Sequence, residues 1–286
     1  MNGYFEGWYY KQQNKDGAVA LIPSLHRDAS GKRQAFLQVI TSDFSKAVPM
    51  HGYVFDRKRK VFILDGNVFT DRHVTLQHTA PGIHLSGRLV FAGQTKPKGD
   101  VMGPFQFMPL MQCRHSVFSM RHTVSGYLQI NDKTYHFHKD PGYMEGDRGV
   151  SFPKAYGWAQ GMQKNYSVFM SWAKIPFCGH AFNGVLAIVL LNGKELRFAT
   201  YNGAKLIFAD AQNIVLQKGP FLLSAKCLSP KAQTLLAPDH GGMRRKVFEN
   251  VSCRTRFKLL YHGQKYLDFI SSAAGFETGG TQPAYF

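Results

Sequence analysis

Turn dipeptides recur at short intervals along this chain, flanked by short apolar segments rich in β-branched and aromatic residues. Asp16-Gly17 precedes Ala18-Val19-Ala20-Leu21-Ile22, and Asp65-Gly66 separates Val61-Phe62-Ile63-Leu64 from Val68-Phe69. Asn131-Asp132 joins Tyr127-Leu128-Gln129-Ile130 to Thr134-Tyr135-His136-Phe137. Asn192-Gly193, Asn202-Gly203 and His262-Gly263 punctuate the second half in the same way. Gly and Asn accept the positive φ of tight hairpin turns at little cost. No segment keeps apolar residues at i, i+3, i+4 and i+7 for three turns. The pattern predicts an all-β protein of short antiparallel strands, closed as a barrel or stacked as a sandwich. One short helix is expected between Phe152 and Gln163.

A chain of 286 residues suffices for one large domain or two ordinary ones. Texture changes between Asp140 and Pro153, where Gly, Pro and charge concentrate, so a two-domain chain would divide there. The 23 Phe and 13 Tyr suit strands and apolar pockets alike. A formal net charge of +17 points to an acidic partner, of which weak contact with an anionic membrane surface is the expectation. Nucleic acid is not expected as a partner, because no helix-turn-helix, zinc-finger or RNP-like pattern is present. Cys113, Cys178, Cys227 and Cys253 are far apart and form no C-x-x-C pair, so buried reduced thiols are expected. His136 and His138 share one strand face without an evident third ligand, so no metal is assigned. The N-terminus lacks a basic and then apolar leader pattern, and the longest apolar run, Val185 to Leu191, is too short for a spanning helix. A cytoplasmic protein, at most peripheral to a membrane, is the expectation.

Three segments carry candidate chemistry. In Phe5-Glu6-Gly7-Trp8-Tyr9-Tyr10-Lys11, a strand would place Glu6, Trp8 and Tyr10 on one face. Phe107 to Met120 runs from an apolar loop into a strand bearing His115. Gly142 to Pro153 holds Glu145 and Asp147 two apart, so an extended chain points both the same way. Two adjacent carboxylates resist joint ionisation, which raises one pKa and yields a general acid near neutral pH. The bland alternatives are a Glu6 that points to solvent or pairs with a base, a core His115, and a polar turn in which Arg148 neutralises one carboxylate.

The same three segments resemble the tocopherol cyclase family: its FEGWYFK opening, its P-F-M-E-C-Y-H-G stretch and its G-Y-I-E-K-D-W-G-x-S-F-P motif. Trp158 and Gln160 fall on a W-x-W-x-Q-x-N-like run, and Leu236-Ala237-Pro238, Gly242-Met243-Arg244-Arg245 and Phe248-Glu249-Asn250 on the closing pattern. Gly146 and Arg148 depart from the third motif, and Gln112 and Arg114 from the second. The resemblance implies two lipocalin-like, calycin-type barrels, divided here as residues 1–145 and 146–286, related in fold to carotenoid hydratase-like proteins. Such barrels hold one apolar ligand, an isoprenoid or lipid, in the mouth. It implies cofactor-independent cyclisation of a prenylated phenol: a proton goes to an alkene and oxygen attacks the tertiary cation. On that reading Glu145 or Asp147 is the acid, with His115 and Glu6 as partners. Trp8, Tyr10, Phe107, Met111, Tyr143, Arg148, Trp158 and Gln160 would contact the ligand. The competing expectation is a non-catalytic binding protein for an apolar lipid or isoprenoid.

Overall fold

The structure, a computed structural model, describes residues 3–108, 111–177, 179–230 and 232–280; Cys178 lies outside them. Strands make up 74% of it and helix 3%. Among the described residues the first half forms β1 (Tyr4–Asn14), β2 (Gly17–Arg27), β3 (Arg33–Thr41), β4 (Ser45–Met50), β5 (Tyr53–Asp56), β6 (Val61–Leu64), β7 (Asn67–Thr70), β8 (His73–Ala80), β9 (Ile83–Thr95), β10 (Cys113–Ile130) and β11 (Lys133–Gly149). The second half forms β12 (Tyr156–Gln163), β13 (Tyr166–Phe177), β14 (His180–Leu191), β15 (Lys194–Ala199), β16 (Lys205–Ala209), β17 (Asn213–Lys218), β18 (Phe221–Cys227), β19 (Gln233–Asp239), β20 (Gly242–Tyr261) and β21 (Gln264–Gly279).

Each half curls into its own antiparallel sheet. The first has the order β4-β3-β2-β1-β11-β10-β9-β8-β7-β6-β5, and the second β15-β14-β13-β12-β21-β20-β18-β17-β16 with β19 beside β20. In both, the first strand pairs with the last, β1 with β11 and β12 with β21. The two halves therefore share one plan. The expected division at residue 145 falls inside β11, which pairs with β1 and β10 as far as Gly149. The chain crosses between sheets over residues 150–155.

Most of the turn dipeptides make hairpins. Asn192 (φ 48°) and Gly193 (φ 77°) both take the positive φ that a two-residue turn demands, and they join β14 to β15. Asn202-Gly203 does not: it ends a 3-10 turn, Thr200–Asn202, carrying the chain from β15 to β16 at the other edge of the sheet. The helix expected between Phe152 and Gln163 is also absent, and Tyr156–Gln163 is a strand. Its residues are buried on both faces as far as Met162, so the sequence lacks the in–out alternation that marks a half-exposed strand.

Three apolar layers result. Leu21, Leu37, Phe62, Phe69 and Phe137 fill the first barrel. Val168, Phe198, Leu216 and Phe257 fill the second. Between the barrels, Tyr9, Val117, Met120, Trp158, Phe169, Leu235 and Val247 form a third layer. Close packing around β12 depends on its glycines. A Cβ on Gly161 would stand 2.2 Å from the Phe257 ring. Gly161→Val is therefore expected to cost about 1–3 kcal/mol by overpacking, measured by denaturant unfolding; a loss below about 0.5 kcal/mol contradicts this packing.

Candidate functional site

Strand alternation decides which side chains reach the space between the barrels. On β1, Trp8 and Tyr10 turn into the first barrel's core, whereas Tyr9 joins the layer between the barrels. On β11, Met144 turns inward and Tyr143 outward. Glu145 and Asp147 share the outward side with Tyr143.

His115, on neighbouring β10, stands between those two carboxylates. Its Nδ1 is 2.9 Å from Asp147 Oδ1, and its Nε2 is 3.3 Å from Glu145 Oε2. The second contact is an ion pair without hydrogen-bond alignment. The ring stacks on Phe169 of the other barrel, centroids 4.8 Å apart and planes 5° from parallel. Burial opposes a charge on His115, but Asp147 and then Glu145 outweigh it and raise the imidazole to about 10. The two carboxylates expected to repel each other thus flank a shared cation. Glu145 Oε2 also accepts from Tyr143 Oη (2.5 Å) and Trp158 Nε1 (3.1 Å). Cys113 Sγ lies 3.4 Å from Asp147 Oδ1.

The facing wall comes from the second barrel. Glu249 on β20 and Glu277 on β21 are direct cross-strand partners. Tyr9 Oη donates to Glu249 Oε1 at 2.6 Å, and Tyr156 Oη donates to Glu277. Burial raises both carboxyls well above the ordinary carboxylate range; the charge of Glu249 raises Glu277 further. Lys11, fully buried behind Glu249, is lowered by burial to about 8 and donates to Gln160 Oε1 and Ala273 O. Among the described residues no three His, Cys, Asp or Glu side chains are grouped to hold a metal ion.

His115, Glu145, Asp147, Glu249 and Glu277 line one cavity between the barrels. Its remaining surface is largely apolar, including Phe5, Ile22, Phe105, Phe182, Leu186 and Val247. Such a cavity suits an apolar molecule with few polar groups. It does not lie in a barrel mouth, because each barrel is filled by its own core.

Of the residues singled out in the sequence, His115, Glu145, Asp147, Trp8, Met111 and Trp158 line this cavity. Tyr143 stands behind Glu145, and Gln160 behind the wall as the acceptor of Lys11. Glu6 does not join them. It is opposite Arg148 on the inward side of the sheet, pairs with Arg57 and accepts from Tyr4. Glu6, Arg57 and Arg148 line a second cavity that shares Trp8, Gly146 and Asp147 with the main one. Tyr10 is buried in the first barrel's core. Phe107 is 80% exposed, and its neighbours Met102, Phe105 and Met108 line the cavity instead. Glu249 and Tyr9 stand in the closing pattern and the first segment without a site role, and Glu277 and Tyr156 were not singled out. The available signal was the shared plan of the halves: β20 and β21 stand in the second sheet where β10 and β11 stand in the first.

The chain is similar in fold to CghA. Against CghA bound to Sch210972 the TM-score is 0.61 at 11% identity, covering 96% of this chain and 87% of CghA. A protein described as AttH from Nitrosomonas europaea gives a TM-score of 0.54 at 10% identity, covering 98% of this chain and 93% of that one. Kievitone hydratase from Nectria haematococca gives 0.51 at 9% identity, covering 97% and 87%. None of these three is a tocopherol cyclase, and at such identities the likeness is one of fold. No protein-family model matches the chain, and no curated protein matches it by sequence.

The His115 clamp sets a pH dependence. Its folded pKa lies above the ordinary 6.5, so its contribution is complete below about pH 6.5 and lost as pH rises toward 10. His115→Gln leaves two carboxylates without their cation and is expected to cost about 3–5 kcal/mol near pH 6. Urea unfolding of both proteins across the pH range should show the difference shrinking from about pH 6.5 upward and levelling off near pH 10.

Proposed function

We propose that this protein is a cofactor-independent enzyme that takes an apolar molecule of isoprenoid or prenylated-phenol type into the inter-barrel cavity and catalyses proton-initiated addition of oxygen to an alkene. The reading rests above all on His115 held between Glu145 and Asp147 at the wall of a largely apolar cavity. The sequence motifs shared with tocopherol cyclases cover the same residues. The fold neighbours are consistent with this class of ligand: one is named as a hydratase, and another was solved with a bound small molecule.

The step balances without an oxidant or metal. An acid of the cavity protonates the less substituted alkene carbon, leaving a tertiary cation. An oxygen of the same molecule bonds to the tertiary cationic carbon, and its proton leaves to a carboxylate of the cavity. Protonation of an alkene creates positive charge where water is scarce. The carboxylates of Glu145 and Asp147 stabilise that charge electrostatically. The faces of Trp158 and Tyr9, packed edge to face at 5.5 Å, supply further cation–π stabilisation.

The test is turnover of prenylated hydroquinones by purified protein. Asp147→Asn and Glu145→Gln are each expected to lower the rate by about 10²–10⁴ while leaving substrate binding largely intact. A wild-type protein that binds such compounds and returns them unchanged would be the apolar-ligand carrier instead.

A further inference from the structure

We propose that Glu277 is the proton donor of the cavity, with Glu249 as the ionised partner that keeps Glu277 protonated. This rests on the function proposed above and names the acid that it requires. The argument starts from register. Glu249 and Glu277 are direct partners across the β20–β21 ladder, an arrangement that brings Cβ atoms to about 4.5–5.5 Å. They are 2% and 8% exposed, and both line the cavity. Two carboxylates this close and this buried do not both ionise, so the pair retains a proton at neutral pH.

The surroundings decide which member keeps it. Burial raises Glu249 to about 7, but the Tyr9 hydroxyl it receives and the buried cation of Lys11 both favour its ionised form and hold it below Glu277, which stands at about 8. Glu145, on β11, opposes that charge more weakly. Glu277 faces Glu249, Glu145 and Asp147, all acidic, and has one opposing contact, the Tyr156 hydroxyl. Arg245 on β20 is spent on the Tyr156 ring and the Pro153 carbonyl. His115 is held by Glu145 and Asp147 on the facing wall. The proton therefore sits on Glu277. Burial also pushes the Tyr156 hydroxyl well above 10, and its neighbour Glu277 adds to that rise, so it remains a donor.

A second polar group of the cavity wall is His26, which lines it, is 4% exposed and has the Gly241 backbone beside its ring. Its Nε2 lies 2.9 Å from Ser24 Oγ. Burial lowers this imidazole to about 4, so it is neutral and suited to a hydroxyl or carbonyl rather than an anion. In the reaction, the Glu277 O–H bond breaks as the alkene C–H bond forms. The attacking oxygen then returns its proton to Glu277, which closes the cycle.

Infrared spectroscopy of the carboxyl C=O stretch, on the full chain without ligand, tests this directly. At pH 8, above Glu249 but not above Glu277, wild type should show the band of a buried, protonated carboxyl group that is lost from Glu277→Gln. Glu249→Gln should keep the band and lose it at lower pH than wild type, because the neighbouring charge is gone. Absence of the band in wild type at pH 8, or its undiminished persistence in Glu277→Gln, overturns the proposal. Where wild type turns over a prenylated hydroquinone, Glu277→Gln should lose at least about 100-fold in rate, and full activity overturns the donor role. A wild-type band without any turnover supports the proton-holding pair and overturns the function proposed above.

Discussion

Each barrel fills its own interior, and that constraint governs everything else. Trp8, Tyr10, Phe62 and Phe69 occupy the space that a ligand would need inside the first barrel, and Phe198 and Phe257 do so in the second. With these interiors packed, the apolar cavity lies against the outer faces of the sheets. Here two such faces are pressed together, and three hydrogen bonds tie polar groups of one half to the other. Tyr9 reaches Glu249, Lys11 reaches Gln160, and Trp158 reaches Glu145. The cavity is the part of that contact left unfilled.

The shared plan of the halves explains why the site is rich in carboxyls. The last strands of each sheet project acids into the contact: Glu145 and Asp147 on β11, beside His115 on β10, from the first half, and Glu249 and Glu277 on β20 and β21 from the second. The two walls differ in their electrostatics. In the first half an imidazolium binds the carboxylates. In the second no cation stands between the glutamates, and burial keeps a proton on the pair. A wall that holds charge thus faces a wall that holds a proton, which is the arrangement an alkene-protonating site requires.

The fold was legible because its determinants are local. Turn dipeptides such as Asp65-Gly66 and Asn192-Gly193 declare positive φ in the sequence itself, and they mark hairpins in the structure. Tyr156–Gln163 was not legible, because a strand buried on both faces has no alternation to read. Within the site, the two-residue spacing of Glu145 and Asp147 showed that they share a face, and their common contact with His115 follows from that. Which face points at the second barrel was invisible. The same rule that groups Glu6 with Trp8 and Tyr10 sends all three inward, where Glu6 meets Arg57. Glu249 and Glu277 meet across the long β20–β21 hairpin, whose register shifts at irregularities between them and the turn, so counting back from His262-Gly263 does not pair them.

Photo-crosslinking tests most directly that ligand chemistry occurs between the barrels. A prenylated phenol bearing a photoreactive group, irradiated with the full chain and mapped by peptide mass spectrometry, should label residues from both halves together. The segment around Met108 and Met111 and the segment Leu235 to Pro238 both line the cavity and are the expected sites. Labelling confined to the interior of one barrel, at residues such as Phe62 or Phe257, would contradict the account.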